Sequence, residues 1–253
     1  MTEQNEVEKL ITVCLSYYNQ PEVMVDQLKW WLEYSGDVKK RMSFFIIDDC
    51  STRGALDVIK DVGLYERLGE LSITIFRVKE DKFCNISGVR NLGATECITP
   101  YMVILDMDTF ISNNTMEKMI AVAERNIDKK IAFIFNRRVE SNPSHKKHNK
   151  LHPAVSLIRV KDYWDVGGCD EDYVGNYGYT DPTFWWRAKN LIEKHECRNI
   201  YLDYKDEGEC DMVRDTRKNK RLFEKKMADG SWSSDFIRFE YIKEYYAPMG
   251  GSM

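Results

Sequence analysis

Short apolar runs alternate with segments of helical period through the first half of the chain. Ile11–Tyr17, Phe44–Asp48, Ser72–Val78, Tyr101–Leu105 and Ile131–Phe135 read as strands. Each is short and richly apolar, as a strand covered on both faces should be. Between them, Glu22–Tyr34, Ala55–Val62, Ser87–Cys97 and Asn114–Arg125 carry helical spacing, and Pro21 stands just ahead of the first. Strands and helices in this alternation predict an α/β fold with a mainly parallel central sheet flanked by helices.

After Phe135 the pattern changes. The polar, Lys- and His-bearing stretch Glu140–His152 reads as a loop. Ala154–Arg159 reads as a strand and the residues through Trp164 as a short helix. Gly167, Gly168, Gly175 and Gly178 mark an irregular segment, and Pro182 opens a helix expected to reach about Ile192. A further strand is expected at Ile200–Tyr204, then two polar helices near Lys218–Ala228 and Phe236–Tyr246. No repeat or Gly/Ser linker divides the 253 residues, so a single domain is expected.

Charge and composition narrow this picture only slightly. A net charge of −4 argues against a general nucleic-acid binder, which carries a basic surplus. No apolar stretch is long enough to span a bilayer, and the polar N-terminus is unlike a signal peptide. The seven cysteines are scattered and odd in number, which suits reduced thiols and a cytoplasmic location. Two glycosylation-type sequons, at Asn85 and Asn113, read as chance in that setting.

The candidate chemistry lies at strand ends. In open parallel α/β sheets, ligands sit beyond the carboxyl ends of the strands. Here the first strand ends in Ser16-Tyr17-Tyr18-Asn19, the second in Asp48-Asp49 and the fourth in Asp106-Met107-Asp108. Residues i and i+2 of an extended segment point the same way, so Asp106 and Asp108 can face one ligand. Two hard carboxylates at that spacing suit Mg²⁺ or Mn²⁺ with room for phosphate oxygens. Asp48-Asp49, followed by Cys-Ser-Thr, reads either as a turn with a helix cap or as an acceptor for a base N–H or ribose hydroxyl.

Five pieces in order resemble the GT-A glycosyltransferases of the inverting family 2. They are Ser16–Asn19, Phe44–Ser51, Gly88–Gly93 with its Arg90-Asn91-Leu92-Gly93 element, Ile104–Asp108, and Val166–Glu171 continued by Gly178–Asp181 and Trp185–Arg187. The resemblance implies a GT-A fold. Residues up to about 135 would bind the nucleotide-diphosphate sugar, and residues from about 136 to 253 would build the acceptor half and the closing helices. It implies that Ser16 and Asp49 contact the nucleoside with Asp48 supporting. Arg90 would approach the nucleotide or act as counter-charge to the carboxylates. Asp106 would hold the ribose or a metal-bound water, and Asp108 would bind the metal. Asp181 matches the family's general base, although the family more often has Glu-Asp where this chain has Thr180-Asp181. The implied reaction is metal-dependent, inverting transfer of a hexose or N-acetylhexosamine from a UDP-linked donor to a hydroxyl of a glycan or other acceptor.

Several features depart from the pattern. Many relatives complete the metal site with a downstream His, but the only one after Asp181 is His195, expected on a helix surface. Asp211 or a water is the expected substitute. His145, His148 and His152 are read as parts of a solvated loop that could close over the donor. As an N-cap, Asp181 would have a lowered pKa. Tyr179, Trp185 and Trp186 read as core or sugar-stacking aromatics, and Asp170-Glu171 as a turn or a wall of the sugar site. The basic run 214–226 reads as a solvated face, a diphosphate partner or a peripheral membrane contact. A nucleotidyltransferase would carry a Gly-rich, basic loop after strand one, where this chain has Tyr17–Pro21. An oxidoreductase would carry G-x-G-x-x-G there. A catalytically silent sugar-nucleotide- or glycan-binding module is the remaining alternative.

Overall fold

The computed structural model describes residues 8–205 and 214–248. Four parallel strands form its centre: β1 (Ile11–Tyr17), β2 (Met42–Asp48), β3 (Ile73–Val78) and β4 (Tyr101–Leu105). β1 lies between β2 and β4, and β3 pairs with the other side of β2. The connecting helices are α1 (Pro21–Leu32), α2 (Gly36–Lys40), α3 (Ala55–Asp61) and α4 (Ile86–Glu96). Alternate strand residues feed two cores. Val13, Leu15, Phe44 and Ile46 pack on one face with Trp31 of α1, Val58 of α3 and Met119 of α5 (Asn113–Arg125). Cys14, Phe45 and Ile47 pack on the other with Val89 and Leu92 of α4. The period of two explains why the strands read as continuously apolar: both faces are buried.

Gly93 sets how closely α4 approaches the sheet. A Cβ there would lie 3.0 Å from Ile47 Cδ1 and 3.1 Å from Cys14 Sγ. This close approach brings Arg90, one turn earlier, to the strand ends.

The second half builds the rest of one nine-stranded sheet, in the order β5-β8-β6-β7-β4-β1-β2-β3-β9. β5 is Thr109–Phe110, β6 Ile131–Arg138, β7 Leu151–Arg159, β8 Glu193–Tyr204 and β9 Tyr241–Ala247. β7 runs antiparallel between β4 and β6, β8 is parallel to β6, and β9 is antiparallel to β3. The remaining helices are α6 (Val160–Val166), α7 (Thr180–Ala188) and α8 (Arg217–Asp229). None of the described helices is long and apolar enough to cross a membrane.

Four expectations are corrected. Residues 236–246 form no helix; their second half is β9. The outer edge of β3 offers unpaired backbone groups, and Tyr241 and Tyr245 pack on Phe76 and Tyr65 when the strand adds to it. α7 ends at Ala188, and β8 begins at Glu193, well before Ile200. The first four residues of β8 are exposed, which hid the strand signal and places His195 on a strand. β7 begins at Leu151, so His152 belongs to the sheet and is only 4% exposed.

Candidate active site

The carboxyl ends of β1, β2 and β4, the first turn of α7 and the end of β8 enclose a cleft of about 630 Å³. Ser16, Asp49, Arg90, Asp106, Asp108 and Asp181 all line it, so six of the seven residues singled out from the sequence converge. Lys147, Tyr177, Tyr204, Lys205 and Arg214 line the facing wall.

Asp48 is the seventh and does not reach the cleft. It is fully buried. Its carboxylate accepts the N–H of Ser51 at 2.8 Å and of Ala55 at 2.9 Å, and pairs with Arg77 at 3.0 Å. It closes the β2–α3 turn, which is the cap reading. Asp49 faces the ligand side. Asn85 donates to it twice, from Nδ2 at 3.1 Å and from its backbone N–H at 3.2 Å. Burial pushes the Asp49 carboxyl up to about 6, against those two bonds.

Arg90 holds the centre. Its guanidinium donates to Asp181 Oδ1 at 2.6 Å and to Asp106 Oδ1 at 3.1 Å. Its side chain is 6% exposed. Burial alone would lower its pKa, but Asp181 and Asp106 more than offset this and raise it. The counter-charge reading of Arg90 is therefore realised in the structure. Asp181 is the second residue of α7, not its N-cap; Tyr179 takes that place with φ 67° and no side-chain cap bond. Burial raises the Asp181 carboxyl, with Arg90 opposing, so the lowering expected from a helix N-terminus is not what dominates.

Asp106 and Asp108 are joined by a residue absent from the expected set. One ligand-capable atom from each of Asp106, Asp108 and His152 lies within 4.8 Å of the others. Burial, and then the neighbouring Asp106, push Asp108 up to about 6. Burial drives His152 down to about 3, so its imidazole is neutral. Its Nδ1 accepts the backbone N–H of Ala154 at 3.2 Å and of Val155 at 2.9 Å. Its Nε2 lies 3.1 Å from Thr109 Oγ1, and that hydroxyl donates to Asp108 Oδ1 at 3.1 Å. The two carboxylates, hard oxygen donors lining one open cleft, fit a divalent cation with free positions. Asp211, the expected third ligand, lies outside the described residues.

Other candidates fall elsewhere. Asp170 and Glu171 are each 2% exposed and off the cleft. Asp170 pairs with Lys226 at 2.6 Å, and Glu171 accepts from Asn91, Ile237 and Arg238. They clamp α8 and the segment before β9. Lys226 is thus buried, and of the described part of the basic run only Arg214 lines the cleft. Trp185 donates its indole N–H to Pro153 O, Trp186 lies outside the cleft lining, and Tyr179 packs on Phe223. The aromatic that this segment presents to the cleft is Tyr177, between two left-handed glycines, Gly175 and Gly178. The glycine pattern marked this segment as irregular without saying which ring it would present.

Among curated proteins no sequence match is found. The fold is similar to S. aureus TarS in complex with UDP-GlcNAc (TM-score 0.67, 14% identity, 89% of this chain and 68% of that one). It is also similar to the mannosyltransferase PcManGT from Pyrobaculum calidifontis in complex with GDP-Man and Mn²⁺ (0.64, 15%, 90% and 66%). A third similar structure is GalNAc-T7 with UDP, GalNAc and Mn²⁺ (0.64, 11%, 88% and 48%). The chain therefore spans about half to two thirds of the length of these structures. The family model described as glycosyl transferase family 2 matches residues 12–243, from the start of β1 into β9. With a GT-A sheet of this topology and a match over nearly all of the described fold, the chain belongs to glycosyl transferase family 2.

Proposed function

We propose that the protein is a metal-dependent, inverting glycosyltransferase that moves a hexose or N-acetylhexosamine from a UDP-linked donor to a hydroxyl of a glycan or other acceptor. The observation that carries this is the convergence of Asp49, Arg90, the Asp106–Asp108 pair and Asp181 on one cleft. Similar structures that hold UDP-GlcNAc, or UDP with Mn²⁺, support the donor class.

Ser16 and Asp49 bind the nucleoside, Asp49 accepting a base N–H through lone pairs that Asn85 leaves open. Asp106 and Asp108 hold a Mn²⁺ or Mg²⁺ ion, which when bound supplies Lewis-acid stabilisation to the diphosphate leaving group. Lys147, Lys205 and Arg214 face the same cleft and add positive charge where the diphosphate lies. Asp181 takes the proton of the attacking acceptor hydroxyl. Burial gives it more basicity than a surface carboxylate. Arg90 keeps it ionised and fixes its direction.

The test is release of UDP from UDP-sugars with and without Mn²⁺, across a panel of acceptors. Asp181→Asn is expected to keep donor binding while losing about 10²–10⁴-fold in transfer rate. Full transfer by that variant would remove Asp181 from the role. A protein that binds donor in calorimetry but never turns over would instead be a silent binding module.

A further inference from the structure

The Asp106–Asp108–His152 cluster has the look of a three-ligand cation site, but the hydrogen bonds of His152 point another way. The pairing register of β7 against β6 shifts between Ile134 and Asn136, opposite the stretch between Leu151 and Ser156. A shift of this kind leaves backbone groups out of the ladder and re-aims a side chain. The N–H groups of Ala154 and Val155 turn to His152 Nδ1. A nitrogen that accepts two N–H donors cannot carry a proton, so in the neutral ring the proton sits on Nε2. Nε2–H then donates to Thr109 Oγ1, whose own O–H is free to donate to Asp108 Oδ1. Every donor in this chain is used, and every bond runs toward the Asp108 carboxylate. To ligate a cation, Nε2 would have to give up its proton to Nδ1. That proton would face the two buried N–H groups and leave both without an acceptor, which is costly.

We propose that His152 is a positioning residue with its proton on Nε2, orienting Asp108 through Thr109, and is not a ligand of the cation. The cation is then held by Asp106 and Asp108, with its other positions left to the donor diphosphate and water. This rests on the metal dependence proposed above, and the test separates the two.

The tautomer is read first, without metal, from long-range ¹⁵N–¹H spectra of the histidine side chains near pH 7. Protonated Nε2 with bare Nδ1 at His152 is expected; protonated Nδ1 overturns the proposal. Mn²⁺ is then added with UDP and examined by pulsed electron paramagnetic resonance. No coupling to a directly bound imidazole ¹⁴N is expected. A ¹⁴N coupling that vanishes in His152→Gln makes His152 a ligand and overturns the proposal. Thr109→Val should weaken Mn²⁺ binding about 10–100-fold, as loss of an outer partner does, while Thr109→Ser restores it. Unchanged Mn²⁺ affinity in Thr109→Val also overturns the relay. If Mn²⁺ does not bind even with UDP, the metal reading beneath the proposal fails, and the metal-free spectrum tells that failure apart from a wrong tautomer.

Discussion

One guanidinium carries the electrostatics of the cleft. Arg90 pairs with both Asp106 and Asp181, which are 34% and 29% exposed while Arg90 itself is nearly buried. Removing one partner of a buried pair costs about 3–5 kcal/mol. Because these carboxylates reach solvent, Arg90→Ala should fall at or below the low end of that range in urea unfolding, with transfer activity lost as well. The raised carboxyls give a second expectation. A carboxyl near 4 in the unfolded chain and near 6 in the folded one binds more protons in the folded state between those values. Its stabilising effect is complete below about pH 4 and is lost as pH rises through about 6. Stability should therefore decline across that window, by on the order of 2–3 kcal/mol for Asp49 alone, and Asp49→Asn should flatten that part of the slope. Urea titrations at pH 4–6.5 check it. His152 was the residue the sequence hid. Beside Lys146, Lys147 and Lys150 it reads as loop, because nothing in its neighbours signals that a strand begins at Leu151.

At the scale of elements, legibility followed burial. β1 to β4 are covered on both faces, so their apolar runs stand out and their limits were found within a residue or two. β8 and β9 expose much of their length, and their polar positions imitate loop or helix. The cleft residues on β1, β2 and β4 were legible because each follows a strand that was. Asp170, Glu171 and Lys226 were not, because burial of a charge depends on a partner far along the chain. Lys226 ties α8 to the Gly-rich segment through Asp170 and Asp172, at 2.6 and 2.7 Å. Lys226→Met should leave Asp170 buried with only two backbone N–H groups, from Asp172 and Ser233, as its remaining donors. A loss of about 3–5 kcal/mol is expected, read as a lowered melting temperature.

For the whole molecule, residues far apart in the sequence share the cleft, as Arg90 does with Asp181. Lys147, in the turn-rich stretch between β6 and β7, touches Tyr204 at the end of β8, and both line the ligand space. Binding of UDP with Mn²⁺ should protect residues 139–150, rich in lysine, from trypsin; unchanged cleavage would count against closure of that stretch on the donor. β9 bears on something different, the order in which the molecule can be made. β3 pairs on one side with β2 and on the other with a strand drawn from far later in the sequence. On a ribosome, the strands β1 to β4 emerge long before residues 241–247. Until those residues arrive, β3 is an open edge able to template pairing with another chain. So long-range a closure also makes for slow folding. A nascent chain stalled before β9 should aggregate although its cleft residues are all present.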